Sequence, residues 1–271
     1  MNDLRDATIS NNFMFRLVME KKELCRQLLE RILEIKILDI SYPEGEKSLE
    51  AQLTSKGIRL DIYVTLTDGT VVDVEMQTTD GFKSTLGKRA RYYQSVLDND
   101  ALKKGELYSR LRKTFVIFIC TFDPFDKKLS RYTFSNHCHE DSGLFLNDDV
   151  YKIFINTRGD RHRISKELAN LLDYINGAEP SDEFTRQLQE EVKLQRDDDG
   201  RRTLYMTYNQ TLMEMEEKGI EKGIEKGIER GIEKGRIAAL KEMLAAGLTT
   251  FEVIKNSGLY TEKELAAIMA P

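Results

Sequence analysis

Two carboxylates and a glutamine on one candidate hairpin hold the densest potential chemistry in this sequence. Residues 58–66 alternate apolar and polar side chains, and so do residues 71–77, with Thr67, Asp68, Gly69 and Thr70 between them. Period-two alternation marks strands with one buried face. A three-residue loop with Gly69 in the left-handed region sets Leu66 against Thr70, Val64 against Val72, Ile62 against Val74 and Leu60 against Met76. The other face then pairs Asp61 with Glu75, Tyr63 with Asp73 and Arg59 with Gln77. A two-residue loop would set Asp61 against Met76 and mix the faces, so the apolar pattern selects the first register. Like charges directly opposite one another, with Cβ atoms roughly 5 Å apart, destabilise a sheet. A hard divalent cation relieves that repulsion: magnesium takes one or two carboxylates and completes its shell with water and phosphate. An acidic but solvated strand face is the other reading, and alternation alone leaves both open.

The elements that must position these groups are legible along the chain. Ser10, Asn11 and Asn12 offer caps for a helix through about Leu33, with Met14, Leu17, Val18, Leu24, Cys25, Leu28 and Ile32 at helical spacing. A short strand near 37–42 precedes the hairpin. A basic helix is expected at about 83–97, then an apolar strand at 114–122, two short strands within 130–157 and helices from Ser165 onward. Helix, strands, helix, strand in that order predicts an α/β sandwich with a helical tail. At 271 residues there is room for one large domain or two modest ones.

Charge is unevenly spread. The net charge is −5, yet residues 83–113 carry nine Lys or Arg against three acids. A phosphate-binding face fits inside an acidic protein in this way. No segment is long and apolar enough to span a bilayer, and the start of the chain lacks the pattern of a secretion signal. Three cysteines, Cys25, Cys120 and Cys138, form neither a disulfide framework nor a metal spacing, so a reducing cytoplasm is expected.

The tail repeats Gly-Ile-Glu-Lys at a four-residue period, with glycines at Gly219, Gly223, Gly227, Gly231 and Gly235. On a helix this builds an isoleucine stripe (Ile220, Ile224, Ile228, Ile232) beside a glycine stripe. Five glycines cost about 4–5 kcal/mol relative to alanine. Lys-to-Glu pairs three residues apart return only ~0.2–0.5 kcal/mol each. The balance predicts close packing on a partner helix, with self-association through the C-terminal helices. Beyond the repeat, 237–246, 250–256 and 261–269 read as three short helices. Residues 237–271 carry three Lys against four Glu, poor for docking on DNA, so an assembly module is favoured over a helix-turn-helix.

Taken in order, the motifs resemble the PD-(D/E)XK nuclease superfamily, and more narrowly the Rpn group of recombination-promoting nucleases, also classed as transposases. The resemblance rests on Asn11 to Arg16, Lys56 to Tyr63, Asp73 to Gln77, Lys88 to Tyr93, Lys104 to Tyr108 and Phe118 to Phe125. It covers about residues 10–157 well; glycine-rich tetrapeptide repeats before the C-terminus are also typical of the group. The resemblance implies a restriction-endonuclease-like α/β core, a mixed sheet flanked by helices, at 1–180. A helical linker (181–218), the repeat helix (219–236) and a small helical module (237–271) complete the expected organisation.

It further implies a metal-dependent DNA endonuclease, with Asp61, Glu75 and the backbone carbonyl of Met76 holding Mg2+ (Mn2+ and Ca2+ being alternatives). Gln77 stands where the superfamily has lysine and would orient water by hydrogen bonds. Arg89 and Tyr93, four apart on one helical face, are the expected support for that departure, and Lys88, Arg89, Arg91 and Tyr93 the candidate contacts to DNA. A further glutamate would come from Glu20, Glu23 or Glu46. The rival expectation is a nuclease fold without turnover that binds DNA or partners through its helical tail.

Other chemistries lack support. Adjacent ligands in His137, Cys138, His139 and Glu140 would point to opposite faces of an extended segment, unlike a zinc site. Neither a nucleophile elbow nor a phosphate-cradling glycine loop is present.

Overall fold

The computed structural model describes residues 3–42, 61–102 and 105–269. Glu46, the segment 58–60 that opens the first hairpin strand, and Lys104 lie outside them. The chain divides into two compact units, Met1–Tyr205 and Met206–Pro271.

The described strands of the first unit form one sheet: β1 (Ile40–Ser41), β2 (Ile62–Leu66), β3 (Val71–Gln77), β4 (Thr114–Cys120), β5 (Arg131–Phe134) and β6 (Val150–Asn156), in spatial order β1-β2-β3-β4-β6-β5. Strands β3, β4 and β6 run parallel, whereas β1–β2, β2–β3 and β5–β6 pair antiparallel. The sheet is mixed, as the fold class requires. In the hairpin, Ile62 pairs with Val74, Tyr63 with Asp73 and Val64 with Val72, the register selected by the apolar pattern. Leu66 N–H donates to Thr70 O at 2.8 Å, and Gly69 turns the loop at φ +86°. A side chain at that φ would be strained.

Strand β3 is buried at every position, including Asp73, Glu75 and Gln77. Its polar face is therefore covered, not solvated. Helix α3 (Leu86–Ala101) lies over it and packs Leu86, Ala90, Tyr93, Val96 and Leu97 against Val71, Val116, Phe118 and Phe154. Val72, Val74 and Met76 fill the opposite face, against which α1 (Asn12–Met19) packs. Interior parallel strands covered on both sides read as continuous apolar runs, which is why β4 shows little alternation.

The single helix expected through Leu33 is two: α1 and α2 (Lys22–Leu33), separated at Lys21, whose backbone is extended. Helix α1 buries Phe13, Met14, Phe15, Leu17, Val18 and Met19, apolar on nearly every side, while α2 keeps a single stripe. The break lets the first pack against both the sheet and the later helix Glu183–Asp197. Asn11 caps α1 by accepting from Phe13 N and Met14 N. Helices α4 (Lys166–Ile175) and α5 (Glu183–Asp197) follow; Asp182 and Thr185 form a reciprocal capping box on α5. The stretch read from sequence as a linker thus holds a core helix: Phe184, Leu188 and Val192 are buried, and Arg196 donates to Ala7 O at 2.9 Å. The start of α6 (Asp199–Ala245) adds Tyr205, whose ring lies 5.2 Å from Phe13.

In the second unit the repeat lies on α6, and the first of the three expected short helices is its continuation. Helices α7 (Phe251–Asn256) and α8 (Glu262–Met269) follow Gly247 and Gly258, both at positive φ. Arg236 and Glu233 of α6 meet Glu264 and Lys263 of α8. Among the described residues, no helix is long and apolar enough to cross a membrane.

Candidate active site

The hairpin brings Asp61 and Glu75 together. Asp61 N–H donates to Glu75 Oε1 at 2.9 Å, and Met76 N–H donates to Asp61 Oδ2 at 3.1 Å. Each carboxylate is anchored by the strand that carries the other. Glu75 is 5% exposed. Burial, and then the nearby charge of Asp61, push its carboxyl up to about 8. Removing a carboxylate from water disfavours its charged form, and a like charge adds to the effect.

Arg89 reaches this pair from α3. Its guanidinium lies 3.9 Å from Glu75, donates to Gln77 Oε1 at 2.6 Å and to the Tyr93 hydroxyl at 3.2 Å. Guanidinium nitrogens only donate, so the Gln77 oxygen must face Arg89. The amide nitrogen of Gln77 then donates to Thr79 O at 2.9 Å and to Thr79 Oγ1 at 3.2 Å. Both ends of the Gln77 amide are occupied, so it braces Arg89 where a water-orienting role was expected. Phe118 underlies the guanidinium at 5.3 Å from its ring centre. Burial, with the charge of Glu75 behind it, pushes Tyr93 up to about 12.

Helix α3 divides the expected DNA contacts. Lys88 and Arg91 are exposed on its outer side, while Arg89 is half-buried over the carboxylates. Tyr93 is corrected from that group: it is 8% exposed, packed against Phe118, and its hydroxyl accepts from Arg89. Of the three glutamates, Glu20 lines a cleft of about 140 Å3 with Arg16, Tyr42 and Asp61, and pairs with Arg201 at 2.7 Å. Glu23 turns to Arg26 on the surface of α2, away from that cleft. Glu46 lies outside the described residues.

In sequence Asp73 stands as the sheet partner of Tyr63 and as the first residue of the motif through Gln77, with no role assigned to it. It is wholly buried two residues before Glu75, and neither carboxyl oxygen has a hydrogen-bond partner among the described residues. Burial, then Glu75 and Asp61, raise its carboxyl well above the ordinary range. The alternation that singled out Glu75 places Asp73 on the same face, so the signal was available.

Among the described residues no three acidic, histidine or cysteine side chains converge on one point. Cys138 donates to Glu140 on an exposed loop, with no further ligand joining them. The oxygen set at the hairpin is two carboxylates plus backbone, hard donors in the number magnesium uses. Their mutual repulsion in a buried setting is what a divalent cation would neutralise, so the residues fit such an ion.

A family model described as PD-(D/E)XK nuclease family transposase matches residues 10–197. No curated protein and no solved structure matches the chain.

Proposed function

Because the chain belongs to the PD-(D/E)XK nuclease family transposases, we propose that it is a metal-dependent DNA endonuclease that hydrolyses phosphodiester bonds. The observation that carries this reading is the meeting of Asp61 and Glu75 under Arg89, two carboxyl groups held together by backbone hydrogen bonds. Asp61, Glu75 and the Met76 carbonyl would hold Mg2+. When bound, such an ion polarises a phosphoryl oxygen and acidifies a water. Arg89 would supply, beside Glu75, the fixed positive charge that the absent lysine gives. Gln77 and Tyr93 hold its guanidinium in place. Glu20, beside Asp61, is positioned to order solvent at the mouth of the site. Lys88 and Arg91 meet backbone phosphates, which position DNA without reading its sequence.

Calorimetric titration with Mg2+ or Mn2+ tests the ligand set: wild type binds with release of protons near pH 7, and D61A and E75Q do not. Equal binding by all three would remove the proposal.

The tail supports self-association. A Cβ built at Gly219, Gly223, Gly227, Gly231 or Gly235 meets nothing within 4 Å among the described residues. Ile220, Ile224, Ile228 and Ile232 are each more than half exposed beside them. A second copy of the helix, approaching over the glycines, accounts for both stripes. Sedimentation of the full chain should show a dimer that weakens when Gly223 and Gly227 become alanine. A monomer with a more stable helix would count against this.

A further inference from the structure

We infer that a basic cleft at the carboxyl ends of β4 and β6 binds the DNA backbone a few nucleotides from the scissile bond, with Lys127, Lys128 and Arg163 each meeting one phosphate. The cleft, of about 350 Å3, lies between the loop after β4 and the loop after β6, and its lining includes Lys127, Lys128, Arg131 and Arg163 against one acid, Asp160. It rests on the nuclease reading for its ligand, but on separate residues.

The walls are built and locked. Asp123 folds the first loop by accepting from Phe125 N, Asp126 N, Lys128 N and the Tyr132 hydroxyl at 2.7–3.1 Å. The second loop docks onto it: Asp160 N–H donates to Lys128 O at 2.7 Å, and the Ser130 hydroxyl donates to Asp160 O at 2.7 Å. Gly159 makes this approach possible, since a Cβ there would lie 2.4 Å from Ser130 N and 2.5 Å from the Leu129 carbonyl. Arg161 ties the joint by donating to Ser130 Oγ, Gly159 O, Thr157 O and Asp173.

Of the four lining cations, one is committed. Arg131 is held by Glu34 at 3.1 Å. Lys127, Lys128 and Arg163 have no ion-pair partner among the described residues, and all three are exposed. Three unpaired cations around a rigid cleft attract a polyanion. No aromatic ring lines it to stack a base, so the ligand is backbone phosphate.

Position gives the register. Gln77, Cys120 and Asn156 lie side by side on β3, β4 and β6, so both loops leave the sheet edge that carries Glu75. Strands ~4.8 Å apart put β6 about 10 Å from β3. At ~3.4 Å of rise per nucleotide, that is about three nucleotides from the scissile phosphate. Lys83, which leads into α3, pairs with Asp126 of the first loop and joins the cleft to the basic helix.

Fluorescence anisotropy of a labelled DNA duplex tests the inference. The full-length E75Q protein is compared with the same protein carrying K127A, K128A and R163A, and separately K88A and R91A. Each lost phosphate contact flattens the log–log salt dependence by about 0.9. The triple change should flatten it by about 2.7, so its affinity falls roughly 40-fold less between 50 and 200 mM salt. K127R with K128R should keep the parent slope, and an unchanged melting midpoint should show the triple variant folded. A triple variant with the parent slope, alongside a flattened slope for K88A with R91A, would overturn the cleft alone. Failure of the E75Q parent to bind duplex would overturn the nuclease reading and the cleft with it.

Discussion

Replacing Glu75 with glutamine should change how stability depends on pH in the metal-free protein. An ordinary glutamate releases its proton near 4.5, whereas burial and Asp61 hold the Glu75 carboxyl up at about 8. Below pH 4.5 the group is protonated in both folded and unfolded chains and contributes no pH dependence. Between 4.5 and about 8 the unfolded chain has released this proton and the folded chain has kept it. The folded state then binds more protons, so stability falls as pH rises through that window. A tenfold change in proton affinity is about 1.4 kcal/mol, which makes the full loss on the order of 5 kcal/mol above pH 8. Glutamine keeps the side-chain oxygen that accepts from Asp61 N–H but carries no proton to lose. The stability difference between E75Q and wild type should therefore be small near pH 4.5 and grow by several kcal/mol by pH 8.5. The chain has no tryptophan, so urea midpoints in EDTA would be followed by circular dichroism. Saturating Mg2+ should restore most of the wild-type loss. A difference that stays constant across the window would refute the burial argument.

Arg89 and Gln77 should behave as one unit. R89A is expected to lower kcat by about 10²- to 10³-fold, the usual cost of one preorganised donor, and Q77A to lower it by a large part of that. The double variant should lose little more than R89A alone, because contacting residues are not additive; additive losses in single-turnover cleavage would separate them. Asp73→Val should stabilise the metal-free protein by about 1–3 kcal/mol at pH 7, since it removes a buried carboxyl that has no hydrogen-bond partner among the described residues. Urea unfolding checks this, and a destabilised variant would show that Asp73 has a partner in solution.

Much of the site was legible because strand alternation is a strong constraint. The pattern from Ile62 to Val74 admits one register, and that register alone places Asp61 beside Glu75. Spacing along a helix likewise put Arg89 and Tyr93 on one face. Burial was not legible. Whether the polar face of β3 meets solvent depends on α3 packing across it, a contact between residues distant in sequence. For that reason Asp73 passed as an ordinary strand residue and Tyr93 as a surface one. The role of Gln77 was hidden for the same reason, since Thr79 and Arg89 capture its amide only in the fold. The break at Lys21 was missed because apolar spacing continues through it in α1 and α2. The five tail glycines were readable as a periodicity, and the structure adds that none of the described residues crowds them.

Plasmid cleavage tests the nuclease reading most directly. Wild type, D61A and E75A would be incubated with supercoiled DNA in EDTA, Mg2+, Mn2+ or Ca2+. The expected result is cutting by wild type with Mg2+ or Mn2+, none in EDTA, and none by either variant although both remain folded. Cutting by D61A or E75A at the wild-type rate, or no cutting by wild type with any metal, would contradict it.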